Sequence, residues 1–459
     1  MLQLKVRQGI ESEQMKRVFC RVMASFARKI SESPTHQQIL AIAPTVPHIS
    51  EVAMMFADWL SDEDLIFPYI GLGRFFIEQG AYAQAEQGYT QSLTVSEIRF
   101  GKHHLNVAES LNNLAKLYRI QGRFVEAEPL HQRALEIQEQ KLGYENLVTA
   151  ESLNNLARLY RDQGRYSEAE PLHKRALEIQ EHLLGITHPN VAESLNNLGL
   201  LYWNQGKYRE AEVLYKRALN IWEQQIGTEN SSPAECFNNL AVLYYSQGRY
   251  LDAEPLFYTA LTIREQQLGV AHPNVAQSLD NLAALYYSQN QYDKAEPLYQ
   301  RALLIWEQHL GKNHHEVATN LNSLANLYRN QKRYSEAEPL YQRALSILEQ
   351  QVGVDHPRLA IGLHGLATLY RECKWFSKSE SLYLKALDIW KRSLGDTDSH
   401  VGKCLDSLAT LYAIQGNSLD AEKLYIKALE ILDLRLGLEH PWSVECKQKL
   451  KDLRNADVG

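Results

Sequence analysis

Apolar positions along this chain follow a helical spacing that restarts at a fixed interval. Leucine stands at 72, 114, 156, 198, 240, 282, 324, 366 and 408, each followed by Gly or Ala and, four residues after the leucine, by Tyr or Phe. Residues three, four and seven apart share one face of a helix, so each block predicts an amphipathic first helix. A second helix follows a turn, as in Gly164-Arg165-Tyr166-Ser167-Glu168-Ala169-Glu170, and Ala169 and Ala176 then fall two helical turns apart on one face. Pro129, Pro171, Pro255, Pro297 and Pro339 are expected in the opening turn of this second helix, where a missing amide hydrogen has no intrahelical acceptor to lose. Glycines at 101, 143, 185, 227, 269, 311, 353, 395 and 437 keep a period of 42 and suit left-handed helix caps. Pro189, Pro273, Pro357 and Pro441 then open the next first helix. Each unit reads as helix, turn, helix, loop.

The order leucine, small residue, Tyr, turn Gly, Tyr or Phe, Ala, aromatic, Ala resembles the tetratricopeptide repeat (TPR). The 42-residue period, with the run N-N-L-A-x-L-Y-x-x-Q-G-x-Y-x-E-A-E-P-L-x-x-R-A-L-E-I, resembles the kinesin light chain type of that repeat over residues 63–440. The resemblance implies an all-α fold, a right-handed superhelix (α-solenoid) of nine helix-turn-helix repeats with helical caps. Asn290, Lys332 and Lys374 replace the turn glycine, and Ser418 replaces the aromatic after it. Altered turns and a looser last repeat are the expectation there.

Residues 1–62 fall outside the template, yet Met15, Val18, Phe19, Val22, Met23, Phe26 and Ile30 keep helical spacing and predict an amphipathic helix. The stretch Ile39 to Ile49 is similar to the helical connector before the repeats in prokaryotic NB-ARC-type signalling ATPases. With no G-x-x-x-x-G-K-[ST] loop, only an N-terminal helical cap or connector carries over. Residues 441–459 repeat the first-helix register with Lys447 and Lys451 at formerly apolar or small positions, as a polar capping helix requires.

A formal net charge of −7 argues against a generally basic nucleic-acid-binding protein. No run of eighteen apolar residues exists and the N-terminus soon becomes charged, so a cytoplasmic protein with no membrane partner is expected. The five cysteines are scattered without a C-x-x-C pair, which suggests neither a disulfide framework nor a zinc site. His315-Glu316 lacks the second histidine of H-E-x-x-H, Val401 breaks a calcium loop begun at Asp396, and Gly71-Leu72-Gly73 follows no strand. His188, His272, His314, His356 and His440 recur 42 or 84 residues apart, in different layers, and read as turn caps. No catalytic residue, metal or cofactor is expected.

The informative positions repeat without being needed for packing. In a TPR superhelix the polar side of the first helix faces the concave groove. Asn112, Asn154, Asn196, Asn238 and Asn322 form one row there, continued by Asp280, His364 and Asp406. An amide both donates and accepts, which suits the backbone of an extended peptide; the alternative is that these residues tie repeats together. A second row, Asn113, Asn155, Asn197, Asn239 and Asn281, is read as such ties. Lys116, Arg119, Arg158, Arg161, Arg329 and Arg371 could form charge-assisted bonds to acidic side chains. Glu109, Glu151, Glu193 and Glu235 are read as favourable helix-start charges, and Trp222, Trp306 and Trp390 as core. Trp203, Tyr245 and Tyr287 occupy one equivalent position in three successive repeats and form a candidate aromatic ladder. The expectation is a non-enzymatic scaffold whose groove binds a protein or peptide segment with an apolar or aromatic anchor flanked by acidic residues. The alternative is a sensor or regulatory module that docks onto a separate signalling ATPase or protease.

Overall fold

The computed structural model describes residues 13–31, 34, 36–224, 233–352, 354, 356–438 and 440–456. Gly227 and Gly353 of the periodic set lie outside the described residues. Among the described residues every regular element is a helix. From residue 67 the helices come in nine consecutive pairs, 67–78 with 82–100 through 399–414 with 418–436, followed by a last helix, Pro441–Ala456. The chain forms two compact units, Met1–Ser278 and Leu279–Gly459.

Within each unit a helix packs on its pair partner, and the second helix of a pair packs on the first helix of the next. First helices also touch their counterparts in the following repeat, whereas second helices make no comparable contact among the described residues. First helices therefore line the inner side of the curve. In the first unit the curve is tight enough that His272 Nε2, in the loop after the fifth pair, lies 3.1 Å from Glu78 Oε2 in the first.

The repeat chemistry explains this packing. Leu156, Ala157, Tyr160 and Ala169 share one buried cluster between layers, and Ala176 joins Leu153 in the next. Trp222, Trp306 and Trp390 are buried, as expected. Arg165, directly after the turn glycine, lies 4.1 Å over the Tyr160 ring and pairs with Glu128 and Glu168 at 2.7 Å each. Arg123 and Arg333 repeat the arrangement over Tyr118 and Tyr328.

Asn290, Lys332 and Lys374 hold φ of 59°, 62° and 64°, the left-handed conformation of the glycines they replace, so these turns are unaltered rather than modified. The reason is the pair of closing hydrogen bonds. Lys332 N donates to Arg329 O at 2.8 Å and Arg333 N to Tyr328 O at 2.8 Å, matching Gly164 to Arg161 and Arg165 to Tyr160. After Ser418 the second helix, Ser418–Leu436, has the usual 19 residues, its start capped by the Asn417 side chain accepting from Asp420 N. The prolines correct an expectation. The second helix starts at Phe124, so Pro129 lies in its second turn and forfeits the bond to Val125 O; Pro171, Pro255, Pro297 and Pro339 do the same.

His188, His272, His314, His356 and His440 cap the first helices, each Nδ1 accepting from the backbone N–H two residues on at 3.1–3.2 Å. Among the described residues no cluster of His, Cys, Asp or Glu could hold a metal ion, and no helix is long and apolar enough to cross a membrane.

The N-terminal cap comprises α1 (Glu13–Arg28), α2 (His36–Ile42) and α3 (Val46–Met55). Its apolar residues split between two faces. Phe19, Met23 and Ile30 enter the core with Ile49, Val52 and Tyr69, while Met15, Val18, Val22 and Phe26 stay exposed. Gly71 permits the approach of α1 to the first repeat: a Cβ there would stand 2.7 Å from Ala27 O. The G-L-G run is a packing feature, as read from the sequence.

Candidate functional site

In the first unit the inner face carries a cleft of about 300 Å³ between the first helices of the second, third and fourth repeats. Lys116, Asn154 and Arg158 line it, with Glu151, Glu193, Leu147 and Val148. The cations come from the middle of one first helix and the carboxylates from the start of the next, a register of 35 residues: Lys116 Nζ lies 3.2 Å from Glu151 and Arg158 Nη2 2.5 Å from Glu193. The glutamates read as helix-start charges thus form a ladder of alternating sign across repeats. Each pair faces solvent on its glutamate side, so its net contribution to stability is small and a ligand can exchange with it.

The first asparagine row is committed elsewhere. Asn112 Nδ2 donates to Ser152 Oγ at 2.6 Å, and its Oδ1 takes a bond from His131 Nδ1 at 2.9 Å. Asn154 repeats this with Ser194 at 2.7 Å and His173 at 2.8 Å. Asn196 accepts from Asn239 at 3.1 Å, and Asn238 and Asn322 are buried. Asn112, Asn154 and Asn196 thus join repeats, and Asn154, which also lines the cleft, has both ends of its amide engaged in these bonds. Sequence reasoning missed His131 and His173. Their signal is a histidine 19 residues after the asparagine, on the buried face of the second helix. Burial, then nearby cations, pushes both imidazoles down to about 3, so they stay neutral with the proton on Nδ1.

Arg119 and Arg161 are also drawn inward. Both reach Asp162 at 2.7 Å, and neither lines the cleft. Trp203, Tyr245 and Tyr287 are half-buried. Tyr245 packs on Tyr250 with centroids 5.7 Å apart, and Tyr287 on Tyr292 at 5.9 Å, each within its own repeat. Trp203 Nε1 is buried without an acceptor. In the second unit Arg329 lies mostly buried, its Nη2 donating to Asn330 at 3.0 Å and its Nε without a hydrogen-bond partner. Arg371, one repeat on, is half-buried with no carboxylate partner among the described residues.

Stacked helix pairs with this turn and core chemistry define a TPR array, and the tetratricopeptide-repeat family matches residues 65–140, 148–224, 197–267, 234–308, 283–350, 316–375 and 358–433. The chain belongs to that family. It is 27% identical to BtubC (BKLC) from P. vanneervenii over 51% of this chain and 92% of that one, TM-score 0.39. It is 27% identical to the nearly identical TPR-like repeats of a Podospora anserina kinesin light chain-like protein over 45% and 97%, TM-score 0.37. Aspartyl phosphate phosphatase F from Bacillus subtilis is similar in fold at 15% identity, covering 80% and 93%, TM-score 0.50. Among curated proteins nothing matches. TPR arrays are protein–protein interaction scaffolds, a family generally without catalysis.

Proposed function

We propose that the inner face of the first helices binds an extended segment of a partner protein. The cleft between the second and fourth repeats carries this reading, because it sets half-buried Leu147 and exposed Val148 beside Lys116 and Arg158, each paired with a solvent-facing glutamate, Arg158 also donating to Asn197 Oδ1 at 3.2 Å. An acidic side chain on the ligand replaces Glu151 or Glu193 at Lys116 or Arg158, and an apolar anchor covers Val148. The buried asparagines hold the helices in register instead of touching the ligand.

The test is fluorescence anisotropy with labelled decapeptides that carry a central Trp flanked by Asp and Glu, against versions with Ala at the anchor or Lys at the flanks. Acidic-flanked, Trp-anchored peptides should bind best, and Arg158→Glu should weaken them at least tenfold, about 1.4 kcal/mol, with helix content unchanged. Equal affinity for all three peptides, or none lost in Arg158→Glu, removes the proposal.

A further inference from the structure

Outside the repeats, the N-terminal cap holds a second cleft, of about 220 Å³, between α1 and the segment from Asp58 to Asp64. Its far wall is braced. Arg28 Nη2 lies 3.0 Å from Asp64 Oδ1 and donates to Glu63 O at 3.2 Å, Ser61 Oγ donates to Asp64 Oδ2 at 2.8 Å, and Arg99 Nη2 lies 2.8 Å from Asp62. Those contacts use up Arg28, Arg99, Asp62 and Asp64. Arg17 and Arg21 line the same cleft from successive turns of α1 and have no carboxylate partner among the described residues. Asp58 lines it without a cationic partner. Among the lining side chains two unpaired cations against one carboxylate leave a net positive charge, and Lys16 beside Trp59 adds to it, on a cap helix rich in Lys and Arg within a chain of net charge −7. The Trp59 indole supplies a flat wall, with Lys16 Nζ 5.1 Å and Arg17 Cζ 5.9 Å from the ring centroid.

We propose that this cleft is a separate binding site for a monocarboxylate with an apolar body, the carboxylate held between Arg17 and Arg21 and the body laid against Trp59. Guanidinium forks match a planar carboxylate, which the net positive charge of the cleft favours. A phosphate dianion would meet Asp58 as a stronger like charge than a carboxylate does. The space suits one side-chain-sized group, which is what a small apolar acid or the last residue of a peptide with a free C-terminus brings. Both sources share the chemistry.

Isothermal titration of the full chain with N-acetylphenylalanine, its amide, and an octapeptide ending in Phe as free acid or amide tests the site. The acids should bind saturably and at least tenfold more tightly than the amides, and Arg17→Gln with Arg21→Gln should abolish the difference. Arg158→Glu should leave it intact, which separates this site from the groove. An octapeptide acid tenfold tighter than N-acetylphenylalanine identifies a chain terminus as the ligand; equal affinity identifies a free small acid. Should the Gln double variant lose helix content, Arg17→Lys with Arg21→Lys, which keeps charge but loses the fork, must still weaken the acids several-fold. Acid and amide binding alike, no saturable heat, or unchanged selectivity in the folded double variant overturns the proposal.

Discussion

Asp280→Asn should stabilise the second unit at pH 8 and not at pH 5. Asp280 sits in the first asparagine row but carries a carboxylate, with Trp306 Nε1 donating to Oδ2 at 2.9 Å and Asn320 Nδ2 to Oδ1 at 2.5 Å. No cation pairs with it among the described residues, whereas Asp406 in the same row has Lys449 at 3.0 Å. Burial pushes the Asp280 carboxyl up from 3.8 to about 7. A carboxyl whose folded value lies above its unfolded one stabilises fully below the unfolded value, and that contribution disappears as pH rises through the folded value. The window is therefore pH 4 to 7. The full shift corresponds to about 4 kcal/mol, and because the residue keeps partial exposure, water relieves part of it, leaving about 2 kcal/mol at pH 8. Asparagine can fit, since the Asn320 Oδ1 atom has no partner and an amide flip would let it accept from the new side chain. That flip surrenders the Asn320 bond to Tyr299 O, at 3.1 Å, so at pH 5 the variant should be neutral or slightly worse. Urea unfolding of both proteins at pH 5 and pH 8 measures the difference. A gain of the same size at both pH values would refute the electrostatic argument.

Lys332→Gly should stabilise by about 1 kcal/mol, because φ of 62° is strained for a side chain and free for glycine; thermal melts check it. Asn154→Ala should cost about 1–3 kcal/mol by leaving Ser194 and His173 without their partner, yet leave peptide affinity unchanged by anisotropy. Since burial holds His131 and His173 at about 3, their stabilising contribution is present above pH 6.5 and lost as pH falls toward 3. His173→Gln should accordingly lower the midpoint of acid unfolding, followed by circular dichroism.

Much of the architecture is visible in the 42-residue period, because Leu156, Tyr160, Ala169 and Ala176 must face neighbouring layers whatever the partner. The site was less legible. A helical wheel separates polar from apolar faces but does not separate the groove from the polar seam between adjacent first helices, and Asn112 and Asn154 fall in that seam. Arg158 and Glu193 are far apart in sequence, and their pairing appears only when the repeat-to-repeat offset is known. The prolines were displaced for a local reason, since the aromatic after the turn starts the second helix earlier than the proline suggests. The non-glycine turns were expected to change because propensity disfavours them, yet two closing hydrogen bonds hold the same geometry.

Photo-crosslinking tests the central claim most directly. A photoreactive residue at position 148, on the inner-face cleft, or at position 251, on an outer second helix where Leu251 is 84% exposed, is irradiated with the best-binding acidic-flanked decapeptide. Crosslinking at 148 with none at 251 is the expected result; crosslinking at 251 with none at 148 would place the ligand on the opposite surface and contradict the account.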